Sequence, residues 1–372
     1  MKFGSIIPLT LFAALASAEV EIGLRELAGD FNIGFAINGT WWEGVPGYTE
    51  TANKVFNMAV AENACKFIGI QAERGVYDFT ECDSHLEKAK ELNMGFRGHC
   101  LVWHSMQPEW FMNLKGNELR EAIVDHITTV LTHYRGKIDT WDVVNEAIDN
   151  SSDGVNWVMT PSFLYREVPD FVDLAFKTAR EVDPNVKLYY NDYSTEASPS
   201  RMKKTLSVYN FVKDMVQRGV PIDGVGIQYH VKTNTYPSYE DVMDLMAKYA
   251  ELGLEVQITE MDVNCLGGNT PEEFEKQAEI FATALRACID SPNCTAFLIW
   301  GLADNLSWKY FGYPTLFDND LVPKPAYYSL LDVLKEYNDK KETADDSSDE
   351  EVTVNGEPDV NEEPDSDSGD EE

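Results

Sequence analysis

The sequence predicts an α/β chain folded as a (β/α)8, or TIM, barrel, and three observations carry that expectation. Between about Glu19 and Lys341, short apolar runs alternate with longer amphipathic stretches. There are eight such runs, most of them rich in Val, Ile and aromatics, as strands buried on both faces are. No Gly-rich phosphate loop follows the first run, which disfavours the rival, a doubly wound open sheet.

The first three runs are Phe31–Ala36, Val55–Val60 and Met94–His99. A helical pattern over Asn117–Tyr134 leads to the fourth, Ile138–Val144, and another over Phe171–Val182 leads to the fifth, Val186–Tyr190. Met202, Leu206, Tyr209, Val212 and Val216 then recur at spacings of four and three, which puts them on one helix face. Gly219, Val220 and Pro221 stop that helix before the sixth run, Ile222–Gln228. Helical patterns over Tyr239–Leu252 and Pro271–Ile289 precede the seventh run, Leu254–Thr259, and the eighth, Thr295–Trp300. The length suits a barrel with enlarged loops.

The flanks read differently. Lys2, the apolar run Ile6–Ala16 and the small residues Ala16-Ser17-Ala18 form a secretory signal pattern over residues 1–18, so the mature chain is expected to start near Glu19 and to be extracellular. The barrel is then expected over 19–341. From Glu342 to Glu372 there are 15 acidic residues in 31, with no Lys, Arg or aromatic residue. Such a stretch cannot bury enough surface to offset its conformational entropy, so residues 342–372 are expected to be a disordered acidic tail.

The 372 residues are 44% hydrophobic, which excludes a fully disordered protein. The net charge of −34 argues against nucleic acid or an anionic membrane as partner. A neutral polymer needs no charge complementarity, and 8 Trp and 17 Tyr supply flat faces that suit sugar rings as well as cores. Six Cys fit the expected compartment. Cys288 and Cys294 lie close enough in sequence to staple one helix-to-strand turn, whereas Cys65, Cys82, Cys100 and Cys265 have no assignable pairing. No Cys or His spacing suggests a zinc site, and neither metal nor cofactor is expected. Asn38, Asn150, Asn293 and Asn305 open glycosylation sequons.

In a barrel, function sits at the C-terminal ends of the strands. Glu62, Asn63 and Lys66 follow the second run; His99, Trp103 and His104 the third; Asn145 and Glu146 the fourth. Asn191, Asp192 and Tyr193 follow the fifth, Gln228 and His230 the sixth, Glu260 and Asp262 the seventh, and Trp300 and Trp308 the eighth. Any one of these has a bland alternative as a solvated loop residue or an N-cap, and their coincidence at one end favours a site. Glycosidic cleavage needs two carboxyl groups, one protonated and one ionised. Glu146 and Glu260 follow strands on opposite sides of the mouth and can face each other over one cleft.

These residues carry a resemblance to glycoside hydrolase family 10, the endo-1,4-β-xylanases, over roughly Phe31 to Leu334. It rests on Glu62-Asn63 with Lys66, Arg97-Gly98-His99-Cys100-Leu101-Val102-Trp103-His104-Ser105, and Trp141-Asp142-Val143-Val144-Asn145-Glu146-Ala147. Leu188-Tyr189-Tyr190-Asn191-Asp192-Tyr193, the stretch Gly219 to His230, Ile258-Thr259-Glu260-Met261-Asp262, and Trp300-Gly301 with Ser307-Trp308 complete it. The resemblance implies Glu146 as general acid/base and Glu260 as nucleophile, with His230 on Glu260 and Asp262 orienting His230. It implies that Asn145 holds the 2-hydroxyl of the cleaved sugar. Glu62, Asn63, Lys66, His99, Trp103 and Gln228 would line the glycone side, Asn191 would bind substrate, and Tyr193 would stack on the aglycone side. Trp300 and Trp308 would shape the pocket. Xylan and xylo-oligosaccharides follow as partners, and the protein is expected to be a monomer.

Departures from the family pattern are Phe67 where Trp is usual, Gln71-Ala72 where Glu-Pro is common, and Met106 where Gln is common. Trp41-Trp42 could be a sugar platform or a loop core. The alternatives are a retaining β-1,4-glucanase, or a non-catalytic barrel that binds sugar or inhibits a partner. The last typically lacks one catalytic carboxylate, and both are present here.

Overall fold

The computed structural model describes residues 23–39 and 41–352. They form two units, the first ending at Leu334 and the second beginning at Lys335. The expected signal peptide lies outside the described residues.

The first unit is a barrel. Its strands are β1 (Asn32–Ile37), β2 (Met58–Ala61), β3 (Gly95–Trp103), β4 (Thr140–Asn145), β5 (Lys187–Asp192), β6 (Gly224–Ile227), β7 (His230–Lys232), β8 (Glu255–Asn264) and β9 (Cys294–Ile299). Every pairing is parallel; β1 joins β9, and β6 joins β8, which closes the ring. The short β7 carries on after β6 and pairs His230 with Asp262 on the far half of β8. Two strands, β3 and β8, outrun the apolar runs that announce them by the widest margin. β3 continues past His99 because β4 still offers ladder partners, Val144 to Val102 and Asn145 to Trp103. β8 continues past Thr259, so Glu260 and Asp262 stand on a strand and not in a loop.

Alternate side chains face opposite ways along each strand. Ile33, Phe35 and Ile37 of β1 join the core beneath the helices, while Ala36 packs with Met58, Val60, Ala296, Leu298 and Trp300 in a separate cluster. Helices cover the strands at Gly116–Tyr134, Phe171–Val182, Met202–Gln217, Tyr239–Glu251 and Pro271–Asp290. The second of these buries Phe171, Val172, Ala175, Phe176 and Ala179, one stripe at three- and four-residue spacing. The last starts on Thr270, whose side chain accepts from the Glu273 N–H, with Pro in its first turn.

The final helix, Pro325–Val352, runs past Lys341 into the stretch expected to be the tail. A helix nucleated on the buried face Ala326, Tyr327, Leu330 and Leu331 extends at the low cost of propagation, which composition alone does not register. Residues 353–372 of that stretch lie outside the described residues.

Cys288 and Cys294 are bonded, and Cys65 is bonded to Cys82 across a 17-residue separation; Cys100 and Cys265 are buried free thiols. The Cys65–Cys82 bridge ties the loop after β2 to the helix Thr80–Glu91. On loop closure alone it contributes about 3 kcal/mol, and the shorter Cys288–Cys294 loop about 2. The double variant Cys65→Ala/Cys82→Ala is therefore expected to lower the denaturation midpoint more than Cys288→Ala/Cys294→Ala. Equal shifts would mean that loop closure is not the source.

Candidate active site

Parallel strands share one C-terminal end, so residues far apart in sequence meet there. A cleft of about 530 Å³ opens at that end. Glu62, Asn63 and Lys66 reach it from the loop after β2, His99 and Trp103 from β3, and Asn145 and Glu146 from the end of β4. Tyr193, Gln228 and His230 come from β5, β6 and β7, Glu260 from β8, and Trp300 and Trp308 from beyond β9.

Asn191 and Asp262 stand behind this surface. Asn191, expected to touch substrate, is fully buried, and its Nδ2 donates to Asn145 Oδ1 (3.0 Å) and Glu260 Oε1 (2.7 Å). The pleat sends it inward at that register, and Gly226 makes room: a Cβ there would collide with Asn191 Oδ1.

Glu146 follows the last residue of β4 with φ 58°, a left-handed conformation that a Glu rarely adopts. Its surroundings hold it there. Its N–H donates to Asn191 O (2.9 Å), and its carbonyl accepts from Thr160 Oγ1 (3.1 Å). Its carboxyl accepts from Gln228 Nε2 on Oε1 (3.0 Å) and from Trp103 Nε1 on Oε2 (2.9 Å). Gln228 Nε2 also lies 3.2 Å from Asn145 Oδ1, so Gln228, Asn145 and Asn191 link Glu146 to Glu260. Asn145 thus spends its oxygen twice, and its NH2 remains to donate to a ligand.

On the far side, His230 bridges two carboxylates. Its Nδ1 lies 2.7 Å from Asp262 Oδ2 and its Nε2 3.3 Å from Glu260 Oε2. Asp262 further accepts from Trp308 Nε1 (2.9 Å) and Lys309 Nζ (3.0 Å). Burial works to lower the His230 pKa, but the Asp262 charge and the two hydrogen bonds outweigh it and raise the value to about 9. An imidazolium therefore donates to both neighbours at neutral pH.

The two glutamates are pushed apart. Burial raises the Glu146 pKa, helped by the charges of Asp192 and Glu260, against the hydrogen bonds from Gln228 and Trp103. For Glu260 burial also acts upward. The His230 hydrogen bond, the charges of His99 and His230 and the Asn191 amide together overcome it, and the pKa falls. One carboxyl group is poised to give a proton while the other stays ionised.

Sequence reasoning missed several partners. Asp142 Oδ2 lies 2.9 Å from His99 Nδ1 and accepts from Arg97 Nε (3.2 Å), so a second histidine is oriented by a carboxylate. The signal was available: Arg97 and His99 share one face of β3, and Asp142 sits opposite His99 on β4. Lys309, Asn38 (Nδ2 to Glu62 Oε2, 3.1 Å) and Asn150 (Nδ2 to Tyr193 Oη, 2.8 Å) left no comparable sign. The Lys204 ammonium, paired with Asp192 at 2.8 Å, lies 3.4 Å from the Tyr193 ring centroid.

The departures divide. Phe67 stacks on His126 with centroids 3.8 Å apart, and Gln71 Oε1 lies 3.0 Å from His126 Nδ1. Burial drives the His126 pKa down to about 3, so a neutral ring meets a neutral amide in a packed cluster that does not line the cleft. Trp42 is buried against Phe35 and Tyr48, and Trp41 leans on Tyr48, so this pair is a loop core. Met106 does line the cleft: it is 43% exposed, with Sδ 3.8 Å from Lys66 Nζ.

The family model described as glycosyl hydrolase family 10 matches residues 24–333. The chain is 51% identical over 336 residues to endo-1,4-beta-xylanase B of Neocallimastix patriciarum, covering 90% of this chain and 38% of that protein. It is 36% identical over 329 residues to endo-1,4-beta-xylanase B of Thermotoga neapolitana, covering 85% of this chain and 92% of that one. Among solved structures, xylanase 10B from Thermotoga petrophila RKU-1 in complex with xylobiose matches with a TM-score of 0.79 at 37% identity, over 85% of this chain and 98% of the other. The chain thus spans well under half of the Neocallimastix relative and nearly all of the two Thermotoga proteins.

Proposed function

The chain belongs to glycosyl hydrolase family 10, and on that premise we propose that it is a secreted, monomeric, retaining endo-1,4-β-xylanase. The observation that carries this reading is the pair of glutamates on one cleft, their pKa values moved in opposite directions by their own neighbours. Glu146 gives its proton to the glycosidic oxygen as the Glu260 carboxylate attacks the anomeric carbon. The leaving sugar departs with that proton, and a covalent glycosyl-enzyme remains. Glu146, now a carboxylate, takes a proton from water. The hydroxide formed displaces Glu260, and the two inversions restore the starting configuration. His230 and Asn191 hold Glu260 ionised, and Asn145 donates to the 2-hydroxyl of the sugar being cleaved. The signal pattern over residues 1–18 and the two disulfides support secretion.

Product analysis on glucuronoarabinoxylan tests the reading. Short oligosaccharides with β configuration in the first released product are expected, and α-anomers at early times would refute retention. Aryl xylobioside should turn over faster than aryl cellobioside, and the reverse order would favour a β-1,4-glucanase.

Met106 adds a prediction of its own. A thioether is at best a weak acceptor at a position where the family commonly offers an amide. Its exposed side chain leaves room for Gln to point into the cleft. Met106→Gln is expected to lower the Michaelis constant for short xylo-oligosaccharides about two- to tenfold, and less for polymer. Steady-state kinetics on both substrates checks this, and an unchanged constant with a lower melting temperature would contradict it.

A further inference from the structure

Three aromatic side chains stand out from the surface within four residues at the cleft mouth. Trp308 is 53% exposed, Tyr310 50% and Phe311 81%. Trp308 belongs to the catalytic cleft, where its Nε1 holds Asp262. Tyr310 and Phe311 follow on a short 3-10 turn, Tyr310–Gly312, and do not line that cleft. Their ring centroids lie 3.8 Å apart at an interplanar angle of 37°, so the two rings form one apolar ridge.

The ridge is anchored. The Tyr310 N–H donates to Ser307 O (3.1 Å), the Gly312 N–H to Lys309 O (2.8 Å), and the Cys265 N–H to Gly312 O (2.8 Å). Gly312 backs onto the Asn264 side chain, where a Cβ would collide. The turn is therefore fastened to the end of β8, the strand that carries Glu260. Packing does not account for a Phe ring four-fifths in water, and clustered exposed apolar surface marks a binding function.

We propose that Tyr310 and Phe311 form a sugar-binding ridge outside the catalytic cleft, which engages a β-1,4-linked pyranose chain running out past Trp308. This rests on the reading of the protein as a xylanase. Pyranose rings carry flat C–H faces that stack on aromatic rings, and a polymer longer than the cleft must leave it over neighbouring surface. The ridge continues directly from Trp308 along the chain. A neutral polymer also suits a chain of net charge −34, which repels both a second copy and a polyanion.

The test compares the wild type with Tyr310→Ala/Phe311→Ala and the conservative Phe311→Tyr. Adsorption to insoluble xylan in the cold, kcat/KM on aryl xylobioside, melting temperature and sedimentation are measured for each. The double variant is expected to adsorb about three- to tenfold more weakly. Its kcat/KM on aryl xylobioside and its melting temperature should be unchanged, and Phe311→Tyr should adsorb as the wild type does. Unchanged adsorption of the double variant, with a wild type that does hydrolyse xylan, overturns the ridge alone. A parallel fall on aryl xylobioside would place the rings in the catalytic pocket and overturn it too. A wild-type dimer that the double variant abolishes would make the ridge an interface between copies. A wild type inactive on every xylan substrate overturns the functional reading, and the ridge with it.

Discussion

Glu260→Ala is expected to reduce turnover of xylan by more than about 10⁴-fold, and added azide to restore cleavage of aryl xylobiosides with good leaving groups. The product should be the α-glycosyl azide. The alanine leaves a gap beneath the anomeric carbon, lined by the donors that held the carboxylate, Asn191 and the His230 imidazolium. A small anion can occupy that gap and attack from the side the carboxylate used. The single displacement inverts the β-glycoside, and no glycosyl-enzyme remains to be inverted again. Nuclear magnetic resonance of the product reads the configuration. A β-azide would show that Glu260 is not the nucleophile.

Glu146→Ala is expected to give the complementary pattern. Aryl glycosides with good leaving groups need no proton, so their first step should be spared while xylan turnover is lost. Hydrolysis of the intermediate then lacks its base, and intact-protein mass should rise by the mass of the bound glycosyl group. Azide, which needs no base, should release it as the β-glycosyl azide. The same variant tests the pH dependence. Activity needs Glu146 protonated, so in the wild type it falls as pH rises through the Glu146 pKa, which burial has raised. It needs Glu260 ionised, so it falls as pH drops through the Glu260 pKa, which the His230 contact has lowered. The working range therefore extends beyond the ordinary carboxylate range on both sides. In Glu146→Ala the alkaline limb of kcat/KM on activated substrates should vanish while the acid limb stays. An alkaline limb that survived would belong to another group.

The barrel was legible in the chain because of what parallel strands demand. A strand buried on both faces is an unbroken apolar run, and eight of them separated by one-faced helices leave few other ways to bury that surface. Most of the cleft was legible for a related reason: parallel strands all end on one side, so a polar residue just after each run is brought to the same mouth. Glu146, Glu260, His230 and the residues around them could be named without coordinates. The runs marked the strand ends less well, because polar residues such as Asn191 and Glu260 lie inside paired strands whose ladders continue through them.

Tertiary structure alone decided which neighbour each polar group meets. Asn191 lies 69 residues from Glu260 in sequence, and the register of β5, β6 and β8 turns it onto that carboxylate and away from the cleft surface. Register likewise sets Asp142 beside His99, and the connection after β9 brings Lys309 onto Asp262. Packing of the connections puts Trp41 and Trp42 in a loop core and leaves Tyr310 and Phe311 in water, although all four are aromatic residues in segments that follow strands. Residue type sets which contacts a side chain can make, but its pKa and its partner depend on burial and on distances of a few ångströms. Those quantities belong to the packed barrel and to no local stretch of the chain.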